Sequence, residues 1–224
     1  MAATKTKVKI CGLTDAEAAE VAAEAGAQYL GAVFYPPSPR AVTFQRAAEI
    51  FEFVPAKVQR VGLFVDPTDA DIDKAMNSVR LDLIQLHGAE APERVEAIRL
   101  EFGMPVIKAV GIGGPADLEA ARAFDEIADF LLFDAKPDPK ASRPGGNGAA
   151  FDWSLLKGGK WKSPWFLAGG LTVENVAAAI AGSAAKLVDV SSGVEKAPGV
   201  KDLDRVAAFI AQARGAAIIN EPRA

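Results

Sequence analysis

Along the chain, short runs of Val, Ile, Leu and Phe alternate with longer stretches in which apolar residues recur at helical spacing. Eight runs have the length and near-continuous apolarity of strands buried on both faces: VKICG, YLGAVF, QRVGLFV, LIQLHG, VIKAVG, FLLFDA, WFLAGG and LVDVSS. Several of the intervening segments open on a helix-capping residue: Thr14 with Glu17 three positions later, Thr43, Thr68, Thr172 with Asn175, and Asp202. Two of them, AEAAEVAAEAG and TVENVAAAIAG, are Ala-rich, which suits helices lying close against a sheet, and are expected to end at Gly26 and Gly182.

Each strand is thereby expected to carry its own helix, in units of about 20–35 residues. Eight such units in 224 residues predict an α/β fold, a (β/α)8 TIM barrel forming a single domain over 1–224. A doubly wound open sheet is the alternative, weakened because no strand is followed by GxGxxG. The one long irregular stretch, KPDPKASRPGGNGAA over 136–150, predicts a long flexible loop of the kind that acts as a lid or binding segment, and 216–224 a short C-terminal tail.

Composition narrows the partners. With 50% hydrophobic and 24% charged residues the chain reads as a soluble globular protein. Its formal net charge is -4 and no block of Lys or Arg could track a phosphate backbone, so nucleic acid is not an expected partner. The N-terminal MAATKTKVKI lacks the apolar core of a secretory signal, and no apolar stretch is long enough to span a bilayer, so no membrane is expected and the location is read as cytoplasmic. One cysteine and one histidine can form neither an internal disulfide nor a structural zinc site, so no metal is expected.

In a barrel of this kind the active site lies at the C-terminal ends of the strands. Those ends are polar here: Cys11-Gly12, the Tyr35-to-Arg40 segment YPPSPR, Asp66, Gln85 to Gly88, Asp134, Gly169-Gly170, and Asp189 with Ser191, Ser192 and Gly193. AGGLT and SSGVE, after strands seven and eight, expose small residues whose backbone N–H groups can approach a phosphate, although tight turns alone would also use glycine. Cys11 is either a packed core thiol or, at a strand end beside a cation, a base or nucleophile. Asp134 closes a buried run, where a carboxyl kept protonated by apolar surroundings can act as a general acid; its alternative is a loop cap. Arg40, stiffened by the prolines before it, either suits bidentate capture of a carboxylate or is an exposed loop arginine without a role. Asp66 in Asp-Pro-Thr reads as a turn and helix start. His87 stays open between acid, ligand contact and core histidine, and Asp189 between a substrate-hydroxyl acceptor and a structural group.

Assembled in order, the motifs KICGLT (9–14), FYPPSPR (34–40), VGLFVD (61–66), QLHG (85–88), FDA with GGNGAAFDW (133–153), AGGLTVENV (168–176) and DVSSGVE (189–195) closely resemble the phosphoribosylanthranilate isomerase family of tryptophan biosynthesis. The resemblance spans nearly the whole chain. It implies a (β/α)8 barrel without cofactor that carries out an Amadori rearrangement of N-(5-phosphoribosyl)anthranilate to 1-(2-carboxyphenylamino)-1-deoxyribulose 5-phosphate. It further implies Cys11 as base, Asp134 as acid, Arg40 at the anthranilate carboxylate, Gly169, Gly170, Ser192 and Gly193 at the phosphate, and Asp189 near a sugar hydroxyl. His87 is counted with the substrate-binding residues. The implied partner is a small phosphorylated substrate, and the expected state is a monomer, with a homodimer as the alternative. Ala135 stands where the family often has Ser, and Gly145-Gly146-Asn147-Gly148 where it usually has Gly-Gly-Thr-Gly.

Three other readings fit less well. The aminoaldose isomerase of histidine biosynthesis resembles a pair of aspartates at strands one and five, where this chain has Cys11 and Lys108. Indole-glycerol-phosphate synthase would need a catalytic lysine and glutamate on early strands; Lys9 is a poor substitute, facing away from its neighbour in a period-two strand. A non-catalytic phosphate-binding barrel would have no reason to keep both Cys11 and Asp134.

Overall fold

In the computed structural model, which describes residues 5–136 and 150–216, all eight expected strands form. They are β1 (Lys7–Cys11), β2 (Tyr29–Val33), β3 (Gln59–Phe64), β4 (Leu83–Leu86), β5 (Val106–Ile112), β6 (Phe130–Ala135), β7 (Trp165–Leu167) and β8 (Leu187–Val190). Each pairs in parallel with the next, and β8 returns to β1, so the sheet closes into a barrel and the open-sheet alternative falls away. Closure leaves the barrel no unpaired edge.

The helices are α1 (Ala16–Ala25), α2 (Phe44–Phe51), α3 (Asp69–Ser78), α4 (Pro92–Phe102), α5 (Pro115–Ala121), α6 (Val176–Ser183) and α7 (Leu203–Gly215). One expected helix is absent among the described residues: between β6 and β7 these hold only a 3₁₀ turn, Trp153–Leu156. The loop expected over 136–150 and the tail expected over 216–224 lie, but for residues 136, 150 and 216, outside the described residues.

Thr43, Thr68 and Asp202 cap their helices as read, each accepting a backbone N–H of the first turn. The cap of α1 is Asp15 rather than Thr14. The Asp15 carboxylate takes the Ala18 N–H at 2.8 Å, whereas the Thr14 hydroxyl is turned outward to donate to the Gly199 carbonyl at 2.7 Å. At α6 the helix starts after Asn175, whose side chain accepts the Thr172 N–H and donates to the Gly170 carbonyl, so this pair closes the loop instead of forming a capping box. Gly26 ends α1 in the left-handed conformation, with φ 100°. Gly182 does not end α6; the chain stays helical through Ser183, and Ala184 takes the left-handed turn, its N–H bonded to the Ile180 carbonyl.

Past β8 the sequence reading missed a short antiparallel hairpin, β9 (Glu195–Ala197) with β10 (Val200–Lys201). Its tip packs against the β2–α2 loop, where a Cβ on Gly199 would run into the Pro39 carbonyl.

Two apolar layers follow from the period-two alternation of the strands. Residues such as Val8, Ile10, Leu30, Ile84 and Leu131 face the helices in one large core. The opposite set, Tyr29, Val61, Leu83, Ile107, Leu132, Phe166 and Leu187, fills the barrel floor, where Tyr29 and Phe166 meet edge to face at 5.1 Å. The floor leaves the inward positions one step higher on the strands to polar groups. Because Phe166 is fully buried there, Phe166→Ala should lower stability by about 3–5 kcal/mol in denaturant unfolding. A loss close to zero would show that the floor is not packed as described.

Candidate active site

The same alternation decides what reaches the mouth. Lys9 and Cys11 on β1, Gln85 and His87 on and after β4, Asp134 on β6, and Asp189 and Ser191 on and after β8 all share the inward phase of the floor residues. The sequence-predicted Cys11, His87, Asp134 and Asp189 are thus brought to one end of one barrel.

Cys11 ends β1 and is 4% exposed, packed beside Val33, Leu63, Tyr35 and Val65. Gly12 follows in the left-handed conformation, with φ 73°, and a Cβ there would lie 2.5 Å from the Arg40 Cδ. The glycine therefore makes room for Arg40 as well as for the turn.

Arg40 is a buried side chain held in a bidentate pair. Its Nε and Nη2 donate to the two oxygens of Glu195 at 2.7 and 2.9 Å. Glu195 in turn accepts from Lys201 at 2.9 Å, and Lys201 also donates to the Ser191 carbonyl at 2.9 Å. Burial pushes the Glu195 carboxyl up, but Arg40 and Lys201 outweigh it and hold the group below its ordinary range. Glu195 engages Arg40 from the side, and among the described residues Nη1 has no partner, so the Nη1–Nη2 edge stays available for a second carboxylate. Neither Glu195 nor Lys201 was singled out from the sequence; both sit on the unforeseen hairpin.

Asp134 receives the Ala135 N–H on Oδ1 at 2.8 Å, and its Oδ2 lies 3.3 Å from His87 Nε2. Gln85 Nε2 is 3.0 Å from the other ring nitrogen, Nδ1. With the Gln85 amide as donor, Nδ1 accepts and the ring proton sits on Nε2, facing the carboxylate. His87 thereby acquires a definite place, as the neighbour of Asp134.

Asp189 is paired with Lys9 Nζ at 2.8 Å, both buried. Lys9 thus shares the interior with Cys11, two residues away, rather than pointing away from the site. The sequence carried the signal, since positions 9 and 11 have the same phase in a period-two strand.

Gly169 and Gly170, after β7, both have positive φ, 81° and 65°. Ser192 and Gly193 form the start of a 3₁₀ turn after β8, and a Cβ on Gly193 would run into the Leu171 carbonyl. The two loops are therefore pressed together, and a side chain at Gly193 would force them apart.

Asp66 is structural, as expected. It has φ 47° and accepts the Ala89 N–H at 2.8 Å, tying the β3 and β4 loops together. Lys108 is held by Glu90 at 2.6 Å and by the Gly88 carbonyl at 2.8 Å. Among the described residues, no group of three or more His, Cys, Asp or Glu side chains is placed to hold a metal ion. No helix among them is long and apolar enough to cross a membrane.

A family model described as N-(5'phosphoribosyl)anthranilate (PRA) isomerase matches residues 8–212. The N-(5'-phosphoribosyl)anthranilate isomerase of Paramagnetospirillum magneticum is 61% identical over 93% of this chain and 97% of its own. Among solved structures, the phosphoribosyl anthranilate isomerase of Thermotoga maritima is 38% identical with a TM-score of 0.84, covering 94% of this chain and 99% of that one. A second solved isomerase, 36% identical with a TM-score of 0.78 and covering 94% of this chain and 99% of its own, is in complex with reduced 1-(o-carboxyphenylamino)-1-deoxyribulose 5-phosphate. With the barrel, the inward Cys11 and Asp134 and matches of this extent, the chain belongs to the phosphoribosylanthranilate isomerase family.

Proposed function

We propose that the chain converts N-(5-phosphoribosyl)anthranilate into 1-(2-carboxyphenylamino)-1-deoxyribulose 5-phosphate, the aldose–ketose isomerisation of tryptophan biosynthesis, with Asp134 as acid and Cys11 as base. The observation that carries this assignment is the placement of Cys11 and Asp134 at the inward ends of β1 and β6, with the glycine-rich loops after β7 and β8 between them on the short way round the barrel.

Each group then has one task. Asp134 donates a proton to the furanose ring oxygen as the bond from that oxygen to the anomeric carbon breaks, and the nitrogen lone pair forms the open Schiff base. Cys11, as thiolate, removes the proton from the adjacent sugar carbon, and the electron pair left behind moves toward the iminium to give an enolamine. Tautomerisation of the enolamine yields the ketose. His87 orients the Asp134 carboxyl through its contact with Oδ2. The backbone of Gly169-Gly170 and Ser192-Gly193 takes the phosphate, Asp189 lies near a sugar hydroxyl, and the free edge of Arg40 takes the anthranilate carboxylate.

The polar groups present favour this substrate over those of related barrels. Strand five offers Lys108 where an aspartate would be needed for the histidine-pathway aminoaldose, and that lysine is tied to Glu90. The acid, the base and both glycine-rich loops stand at the mouth of one barrel, so the reaction needs no residue from a second copy and a monomer suffices for it. Membership of a biosynthetic enzyme family acting on a small phosphorylated substrate supports a cytoplasmic location.

Three outcomes test this reading. Loss of anthranilate-like fluorescence should follow addition of protein to phosphoribosylanthranilate, whereas the histidine-pathway aminoaldose should turn over far more slowly; a preference for the latter would overturn the substrate assignment. Arg40→Lys keeps the charge but loses the fork, and should raise KM by about tenfold or more with kcat much less affected, as read from substrate saturation. An unchanged KM would remove Arg40 from the carboxylate site. The third concerns pH: a thiolate and a protonated carboxyl are both required, so kcat/KM should fall at both extremes of pH, and burial, which pushes the Cys11 thiol up, displaces the limb governed by the thiol to the alkaline side of a free cysteine. A profile flat from acid to alkaline pH would contradict an acid–base pair.

A further inference from the structure

A thiol with the surroundings of Cys11 is a poor base until something favours its ionised form. The sulfur is enclosed by Val33, Leu63 and Val65, and burial is the largest influence on it, acting to keep it protonated. The charged and titratable groups that face it come from four elements. Lys9 lies on β1 itself, Asp189 on β8, Lys201 with Glu195 on the hairpin, and Arg40 with Tyr35 on the β2–α2 loop.

Their geometry separates them. Lys9 is wholly buried and pinned by Asp189 at 2.8 Å, directly opposite it in the β1–β8 register. Gly31 on β2 is the in-register partner of Cys11, and the space where its side chain would be is bordered by Cys11 Sγ at 3.1 Å and Lys9 Nζ at 3.5 Å. Sulfur and ammonium thus flank one small gap with no side chain between them. Arg40 and Lys201 are instead turned onto Glu195, which neutralises part of their field.

We propose that Lys9, held in place by Asp189, is the positioning residue that makes Cys11 available as a thiolate, an inference that rests on the reading of Cys11 as the base. Burial leaves the Cys11 thiol above its ordinary value overall, and Lys9 is the largest of the influences that pull it back toward the thiolate. Burial pushes the Cys11 thiol up, the Lys9 cation pulls it down, Asp189 pushes it up again, and Lys201 pulls it down more weakly. Burial likewise pushes the Lys9 ammonium down, but Asp189 and Cys11 outweigh it and leave the group above its ordinary value, so it stays charged across the neutral range. Lys201 is pushed down by burial despite Glu195, which makes it the less dependable cation of the two. Lys9 has no substrate contact in this scheme; it acts through the sulfur.

Cys11 is the only cysteine of the chain, so the ultraviolet absorbance of its thiolate can be read directly, with Cys11→Ser as the blank that removes the tyrosines. In Lys9→Met the thiolate should appear only at higher pH, displaced by about tenfold or more in proton concentration. Lys9→Met/Asp189→Asn removes both charges and so leaves no buried ion unpaired if the single variant does not fold. Its thiol should also titrate above wild type, because the pull of Lys9 exceeds the push of Asp189. In parallel, kcat of the folded Lys9 variant should drop by a similar factor at neutral pH. Wild-type titration of Cys11 in both variants would overturn the proposal. The titration is independent of turnover: full activity in Cys11→Ser would remove the base assignment, while the Lys9-dependent shift would still report on the coupling itself.

Discussion

The ion pair between Lys9 and Asp189 lies at the seam where the last strand meets the first, and the site is arranged around it. Burying two charges costs several kcal/mol each unless they are closely paired, and here they face each other in register at 2.8 Å. The pair therefore penalises any other alignment of β8 on β1, because a slip of β8 by one residue would separate the charges and turn Asp189 away from the interior. The aromatic floor beneath supplies the bulk of the burial. The pair specifies which groups stand above it.

A second ionic cluster does for the loops what the first does for the strands. Arg40, Glu195 and Lys201 belong to the β2–α2 loop and the hairpin after β8, which meet only because the barrel closes. Thr14 joins them through the Gly199 carbonyl, and Gly12 provides the space that Arg40 occupies. A buried guanidinium already engaged on one side is pre-organised, so a substrate carboxylate meets it with less rotamer freedom left to lose. The three stretches involved, KICGLT, FYPPSPR and DVSSGVE, are among those that carry the family resemblance.

Much of this was legible in the sequence, for physical reasons. Strands buried on both faces read as near-continuous apolar runs, and all eight were found; a polar residue closing such a run, as Cys11 and Asp134 do, marks the mouth. Helix boundaries were less secure, since Thr14 and Asp15 can both cap and only the path of the loop decides between them. Gly182 stays helical because Ala184 takes the left-handed turn two residues later. Glu195 was beyond reach as a partner of Arg40, being 155 residues away on a hairpin with no strong strand signal. Lys9 was within reach: its spacing from Cys11 places both on one face, but nothing local to β1 reveals that Asp189 waits opposite.

The proposed reaction requires Cys11 and Asp134 to act as base and acid across one barrel mouth. Single-turnover conversion of phosphoribosylanthranilate by folded Cys11→Ser and Asp134→Asn tests this most directly, because it isolates the chemical steps from product release. Each substitution should slow conversion by about 10²–10⁴-fold while leaving the unfolding transition cooperative. Conversion at the wild-type rate by either variant would contradict the account.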